Sequence, residues 1–219
     1  MTVKLAIFDF DGTLADSIPW LQGVFDQVAE RYDFRKLDHR KLDDLRNFNI
    51  RRLLSEHDIP IWKLPLIARH LRSLMRRNIA AIEPVAGIRA ALGALSEEGV
   101  ALGIVTSNSR DNVRQVLGPE TAALFRYWEC GSSLFGKANK LRKLVRTSGH
   151  ANDVVIYVGD EIRDAEAARE ARIAFGAVAW GFTHLQSLVS QGVTETFSDP
   201  TELVTKLLQL PQPRETPCE

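Results

Sequence analysis

Cysteine is scarce in this 219-residue chain, which has two, Cys130 and Cys218. Two cysteines so far apart, one of them near the end of the sequence, do not make the disulfide framework of a small secreted protein. They also lack the paired spacing of a structural zinc site. We therefore expect a protein of a reducing compartment, and we predict a cytoplasmic location.

Net charge and long apolar runs are also missing. The 28 basic and 28 acidic side chains cancel, so no overall field favours nucleic acid or an anionic membrane as a partner. No apolar run approaches the roughly 18 residues that span a bilayer. The first apolar segment, residues 3–8, is too short for a signal peptide and leads directly into acidic residues. We therefore expect no nucleic-acid and no membrane partner.

What the sequence does have is a pair of carboxylates directly after that first apolar segment. Residues 3–8 carry one charged side chain, and the pattern predicts a buried strand of a parallel sheet. Asp9 and Asp11 follow, and Gly12 and Thr13 supply turn chemistry. Aspartate is common in turns, so a simple loop is the plainer interpretation. A buried charge is costly unless it is paired or bound to a metal, so two acids at a strand end favour a functional site.

Strand patterns and helix patterns alternate through the second part of the chain. This alternation predicts an α/β fold, a Rossmann-like parallel sheet with helices on both faces. After the first strand, further strands are predicted at 100–105, 127–130, 154–158 and 173–179. Helices are predicted at 88–95, 110–117, 137–148, 164–171, 184–191 and 200–208.

The segment between the first strand and residue 84 differs, because it has helical spacing and no convincing strand. Ser17 followed by Pro19 predicts a helix start with Ser17 as its cap. Residues 67–79 predict a longer helix. We therefore predict a discontinuous core of residues 1–16 and 84–210, an inserted all-helical cap domain at 17–83 and a flexible tail at 211–219.

The predicted sheet brings polar residues from distant parts of the chain to one edge, because ligands bind at the carboxyl ends of parallel strands. A Thr-Ser-Asn turn follows the second strand, an acidic loop follows the fourth, and a lysine begins a later helix. Each signal alone is weak, since such turns often cap helices and most lysines are solvated. The candidate site residues are Asp9, Asp11, Thr106, Ser107, Asn108, Lys137, Asp160 and Asp164.

The strings around these residues resemble the four motifs of the haloacid dehalogenase-like (HAD) hydrolase superfamily. Residues 9–17, DFDGTLADS, resemble motif I, DxDGT(L/V)xDS. Thr106, Lys137 and the acids from Asp160 match the later motifs in order, so the resemblance covers about residues 3–183 in four pieces. It implies a Rossmann-like core with a helical cap between motifs I and II, similar to phosphoglycolate phosphatase-like members.

The resemblance also implies roles for the matched residues. Asp9 would be the nucleophile that forms an aspartyl phosphate, and Asp11 would be the general acid and base. The implied phosphate-binding residues are Thr106, Ser107, Asn108 and Lys137. The implied cofactor is Mg²⁺, held by Asp9, the backbone carbonyl of Asp11, Asp160 and Asp164, with Asp164 acting either directly or through water.

Two positions depart from the family pattern. The family lysine is often followed by proline, and neither Lys137 nor Lys140 is. Lys137 is preferred because it follows Gly136 at the predicted helix start, and Lys140 is the alternative. Motif IV more often has Thr or Ser where Glu161 stands, and this acid could support the metal site from behind its direct ligands.

The expected function is Mg²⁺-dependent hydrolysis of a small phosphorylated metabolite by a monomer or homodimer. One alternative is a phosphosugar mutase of the β-phosphoglucomutase type, which returns the phosphoryl group to a sugar. A second is a non-catalytic HAD-like binding protein, although the acids of the site are intact. Dehalogenation is disfavoured, because dehalogenases of the superfamily lack the second acid of motif I and Asp11 is present.

The predicted cap contains several side chains that could face a substrate. Trp20 and Trp62 are expected in the hydrophobic core rather than against a ligand. The polar candidates are Arg46, Asn47, Arg51 and Arg52.

Overall fold

The computed structural model describes residues 3–38, 54–131 and 136–209. Its strands are β1 Leu5–Phe8, β2 Ala15–Asp16, β3 Glu83–Pro84, β4 Ala101–Val105, β5 Phe125–Glu129, β6 Val155–Gly159, β7 Ala174–Val178 and β8 Glu195–Phe197. Its main α-helices are α1 Ile18–Tyr32, α2 Leu64–Arg77, α3 Ile88–Glu97, α4 Arg110–Leu117, α5 Pro119–Ala123, α6 Lys137–Ser148, α7 Ile162–Ala171, α8 Leu185–Val189 and α9 Pro200–Gln209.

Six strands form one sheet in the order β5-β4-β1-β6-β7-β8. Every neighbouring pair is parallel. The central strand is β1, where Phe8 pairs with Ile104 on one side and Val158 on the other. The chain runs from β1 to β4 and β5 and then returns to β6 on the opposite side, so the strand order reverses at β1. A reversal of this kind opens a crevice at the carboxyl ends of the strands.

Both faces of the sheet are buried. Side chains alternate along each strand, so neighbouring residues of one strand lie on opposite faces. In β1, Leu5 and Ile7 join the hydrophobic cluster on one face, and Ala6 and Phe8 join the cluster on the other. Helices α6 and α7 cover the first of these faces, and α3 and α9 cover the second. The prediction of a Rossmann-like α/β sheet with helices on both faces is confirmed.

Some local predictions were wrong. Strand β8 was missed because only Phe197 of its three residues is buried, which leaves no apolar pattern to recognise. The α5 helix was also missed, and β5 begins at Phe125 rather than at residue 127. Ser17 does occupy the position before α1, but its side chain makes no cap hydrogen bond.

The two shortest strands form an antiparallel ribbon that was not predicted. Ala15 pairs with Pro84, and Asp16 pairs with Glu83. The ribbon therefore joins the two ends of segment 17–83 where the chain leaves and re-enters the sheet region. Helices α1 and α2 of that segment pack around a third hydrophobic cluster, formed by Val28, Leu54, Ile59, Leu64, Ile67 and Leu74.

The two tryptophans of the segment differ in their surroundings. Trp20 packs against both the third cluster and the adjoining face of the sheet. Trp62 is 70% exposed, so the expectation that it is a core residue was wrong.

The predicted domain boundaries stay predictions, and the predicted tail lies outside the described residues. So do the polar cap candidates Arg46, Asn47, Arg51 and Arg52. Within the described ranges, no α-helix is both long and apolar enough to cross a bilayer.

Candidate active site

Asp9 follows β1 and is almost completely buried, with 2% of its surface exposed. Its backbone N–H donates to the Val158 carbonyl oxygen at 2.9 Å, which extends the strand pairing by one residue. Its carboxylate Oδ1 accepts from the Phe10 backbone N–H at 2.8 Å. Its Oδ2 lies 2.6 Å from Lys137 Nζ, at the first residue of α6. Lys140, the alternative lysine, donates instead to the Cys130 carbonyl oxygen at 2.9 Å.

The buried Lys137 ammonium connects Asp9 to Asp164, whose Oδ1 lies 2.5 Å from Nζ. The Tyr157 hydroxyl lies 3.2 Å from the same Oδ1. The other oxygen, Oδ2, accepts from the backbone N–H groups of Asp160 at 3.3 Å and Glu161 at 3.1 Å. Burial pulls the pKa of Lys137 down, but Asp164 and Asp9 outweigh it and hold the pKa above its ordinary value. The lysine is therefore charged at neutral pH.

Asp160 follows β6, the strand next to β1, and both of its carboxylate oxygens have partners. The Thr13 hydroxyl donates to Oδ1 at 2.8 Å, and the Phe182 backbone N–H donates to Oδ2 at 2.8 Å. Gly12 lies so close that a β-carbon there would be 2.2 Å from Asp160 Oδ2, and its φ is +75°. The glycine of the first turn is therefore required both by backbone conformation and by the space that Asp160 occupies.

The half-buried Asp11 is held by Asn108, whose Nδ2 lies 3.2 Å from Oδ1 and 3.1 Å from Oδ2. Burial raises the pKa of Asp11, and the hydrogen bonds from Asn108 and Ser17 only partly oppose this. Asp11 therefore keeps a proton more readily than an ordinary aspartate. The environment suits a carboxyl group that donates and recovers a proton.

The Thr-Ser-Asn turn after β4 lies at the same edge of the sheet. Thr106 is fully buried, and its Oγ1 accepts from the Asn108 backbone N–H at 3.0 Å. The Ser107 carbonyl oxygen accepts from Arg72 Nη1 at 3.1 Å, which connects helix α2 to this turn. The side chain of Asn108 connects this turn to Asp11, at the end of β1.

Three buried carboxylates lie close enough together to hold a cation. One oxygen from each of Asp9, Asp160 and Asp164 falls within 4.8 Å of the others. Burial raises the pKa of Asp9 to about 7, with Lys137 opposing it. Burial, together with Glu161 and the other acids, raises the pKa of Asp160. Crowded carboxylates of this kind fit a hard divalent cation, which prefers oxygen ligands.

Two side chains of the site were not predicted. Tyr157 stands out in the otherwise apolar strand β6, and a buried hydroxyl needs a partner, so its identity was a usable signal. Arg163 has its Nη2 2.6 Å from Glu161 Oε1, and its charge lowers the pKa of both Asp9 and Asp11. Nothing in the sequence pattern separates Arg163 from the other arginines of the chain.

Known proteins are similar to this chain in sequence and fold. A family model described as haloacid dehalogenase-like hydrolase matches residues 6–178. The chain is 32% identical to the phosphoglycolate phosphatase of Synechococcus elongatus, over 94% of this chain and 100% of that one. It is 25% identical to the N-acetylmuramic acid 6-phosphate phosphatase of Pseudomonas aeruginosa, over 94% of this chain and 96% of that one. The crystal structure of a predicted phosphatase from Clostridium acetobutylicum has the same fold, with a TM-score of 0.80, 21% identity and coverage of 96% and 100%.

Proposed function

The chain belongs to the haloacid dehalogenase-like hydrolases, and on that premise we propose that it hydrolyses a small phosphate monoester with Mg²⁺ through an aspartyl phosphate. Its family and its phosphoglycolate phosphatase-like relatives make it a phosphatase. The observation that carries the finer proposal is the buried Lys137 ammonium between Asp9 and Asp164. A nucleophilic carboxylate that attacks an anionic phosphate needs such a cation beside it.

Mg²⁺ would be held by Asp9 and Asp160, together with the backbone carbonyl of Asp11 that the family resemblance implies. When bound, it would neutralise negative charge and polarise the phosphoryl oxygens. We assign Asp164 a positioning role rather than direct ligation. Its two oxygens already accept four hydrogen bonds, which occupy the lone pairs of a carboxylate.

The chemistry would proceed in two steps. In the first, an Asp9 oxygen attacks phosphorus, the bond to the ester oxygen breaks, and Asp11 gives its proton to the departing oxygen. In the second, Asp11 takes a proton from water as that water attacks the aspartyl phosphate, which releases phosphate and restores Asp9. The raised pKa of Asp11 supports this assignment, because the first step requires the acid to be protonated.

The remaining predicted residues would position the phosphoryl group and Asp11. Thr106 and Ser107 follow the end of β4 and would supply donors to the phosphoryl oxygens, beside Lys137. We assign Asn108 mainly to Asp11, because its amide nitrogen already lies within hydrogen-bond distance of both Asp11 oxygens. This amide would fix the direction in which Asp11 presents its proton.

We propose that segment 17–83 acts as a helical cap over the crevice. The β2–β3 ribbon supports this proposal, because it confines the connections between the segment and the core to two adjacent strands. The bond from Arg72 to the Ser107 carbonyl oxygen would close the cap against the phosphate-binding turn. A closed cap would exclude water from the aspartyl phosphate until the alcohol has left.

The proposal is tested by measuring phosphate release from a panel of phosphorylated metabolites, including phosphoglycolate and a hexose phosphate. We expect release with Mg²⁺, none with a chelator, and no activity in the Asp9→Asn variant. Asp153→Asn, at the opposite edge of the sheet, is the control and should stay active. Activity that survives Asp9→Asn, or isomerised sugar phosphate without release, would overturn the proposal.

The role of Asp11 is tested separately with leaving groups of different acidity. Asp11→Asn should slow hydrolysis of an alkyl phosphate more than hydrolysis of 4-nitrophenyl phosphate, because a good leaving group needs no proton. The comparison uses steady-state kcat/KM for both substrates in the wild type and the variant. Equal losses for the two substrates would count against Asp11 as the acid.

A further inference from the structure

A cavity of about 240 Å³ connects the proposed reaction site to the interior of segment 17–83. Its floor includes the polar residues Asp11, Asn108 and Asp160. From there it extends between helices α1 and α2. A substrate whose phosphoryl group sits at the floor would therefore place its leaving group among the side chains of these helices.

The walls of the cavity are aromatic and aliphatic among the described residues. Phe25 and Phe34 lie edge to face there, with ring centroids 5.5 Å apart. Trp20, Leu21 and Leu71 line further parts of the wall. The apolar surface thus begins close to the polar floor and continues through the space that a leaving group would occupy.

Among the described residues, two arginines also border the cavity, both beside its polar floor. Arg72 Nη1 donates to the Ser107 carbonyl oxygen, and Arg163 Nη2 pairs with Glu161. A leaving group that ends in a carboxylate would lose its water against hydrocarbon walls, which is unfavourable unless a free cation meets it. An apolar leaving group would instead release ordered water from both surfaces.

We infer that the preferred substrate is a phosphate monoester whose leaving group has an apolar body, aromatic or branched aliphatic. This inference rests on the proposed phosphatase activity and adds the class of leaving group. The inferred substrate differs from the one in the name of the relative from Synechococcus elongatus, because the glycolate part of phosphoglycolate is small and charged. The residues at the floor would bind the phosphoryl group, which all monoesters share. The walls formed by α1 and α2 would select among leaving groups.

The test compares substrates and a cavity-narrowing variant in the full chain with Mg²⁺. We expect kcat/KM for 2-phenylethyl phosphate to exceed that for phosphoglycolate by about tenfold or more, the scale on which apolar pockets discriminate. Ala68 lines the cavity from α2, and Ala68→Leu fills part of it with a good helix former. This variant should lose about tenfold on 2-phenylethyl phosphate and little on ethyl phosphate.

Ser73→Leu adds similar bulk to the exposed side of the same helix and should leave both activities unchanged. Thermal unfolding of both variants checks that the fold is intact. The inference is overturned if phosphoglycolate is the better substrate, or if Ala68→Leu lowers the activity on all esters equally in a folded protein. Absence of phosphate release from every ester in the wild type would instead refute the proposed phosphatase activity.

Discussion

Lys137 Nζ lies 2.6 Å from Asp9 Oδ2, although the two residues are 128 positions apart in the chain. The first residue of helix α6 thereby delivers a buried positive charge to the end of the central strand β1. Asp164 holds the same ammonium from its other side. The Lys137 ammonium therefore connects the proposed nucleophile to the acidic loop after β6, and it joins three segments of the chain.

The Lys137→Met variant, which keeps most of the length of the side chain without its charge, should lower kcat by about 10²- to 10³-fold. The loss follows because the variant lacks one of the positive charges that offset the charge of Asp9 and the phosphate. Steady-state kinetics with saturating Mg²⁺ measure it, with circular dichroism as the check on folding. Lys140→Met is the matched control on the same helix. Similar losses in the two variants would contradict the assignment of Lys137.

The placement of Asp9 and Asp160 was predictable because both follow apolar strands, whereas Lys137 was identified through its match to the family motif. Both acids end apolar strands, and parallel strands present their carboxyl ends at a shared edge. The lysine begins an amphipathic helix directly after a glycine. Local pattern, sheet topology and the family resemblance together predicted that these residues lie at one edge of the sheet.

The contacts that orient these residues could not be predicted in the same way. Thr13 and Asp160 are 147 positions apart, and their hydrogen bond depends on how two loops meet. Asn108 was expected at the phosphate, but its amide contacts Asp11, which depends on the turn geometry after β4. Such details arise from tertiary packing, and sequence periodicity carries no information about them.

The Thr13 hydroxyl, which donates to Asp160 Oδ1 at 2.8 Å, should affect metal binding more than turnover. Thr13→Val keeps the shape of this fully buried side chain and removes the donor. We expect the Mg²⁺ concentration for half-maximal activity to rise about 10- to 100-fold. The value of kcat at saturating Mg²⁺ should change much less. Activity titrated against Mg²⁺ measures both.

Thr183→Val provides the matched control for Thr13. The Thr183 hydroxyl oxygen is also buried, and it has no hydrogen-bond partner among the residues that the structure describes. Its backbone N–H donates to the Asp160 carbonyl oxygen, and the substitution leaves that contact unchanged. We expect the Mg²⁺ requirement to stay at the wild-type value. An equal rise in both variants would mean that the Thr13 hydrogen bond has no special role.

The stability of the metal-free protein should depend on pH through Asp9. Burial raises the pKa of Asp9 from 3.8 to about 7 in the folded protein. The folded state therefore binds more protons than the unfolded state between these values, and stability falls as pH rises through this window. A shift of this size corresponds to at most about 4 kcal/mol.

Thermal unfolding with a chelator between about pH 5 and pH 8 tests this dependence. The midpoint should fall with rising pH, and Asp9→Asn should reduce the slope to the part that Asp11 and Asp160, whose pKa values are also raised, contribute. Added Mg²⁺ should stabilise the wild type more at the higher pH, because it binds the deprotonated carboxylates. A wild-type slope that survives unchanged in Asp9→Asn would exclude Asp9 as its source.

Substitutions at Gly12 and Gly99 distinguish backbone strain from steric overlap when a glycine is replaced. Both have a left-handed backbone, with φ of +75° and +79°. A β-carbon at Gly12 would meet Asp160 Oδ2 at 2.2 Å, whereas a β-carbon at Gly99 would have no atom within 4 Å. Gly99→Ala therefore reports the backbone strain alone, about 1–2 kcal/mol.

Gly12→Ala should lower the free energy of unfolding by more than Gly99→Ala, because it adds the displacement of Asp160 to the same strain. It should also raise the Mg²⁺ requirement, whereas Gly99→Ala should not. Chemical denaturation and Mg²⁺ titration of activity measure the two quantities. If both variants lost the same stability and kept the same Mg²⁺ requirement, the turn would be able to move away from Asp160.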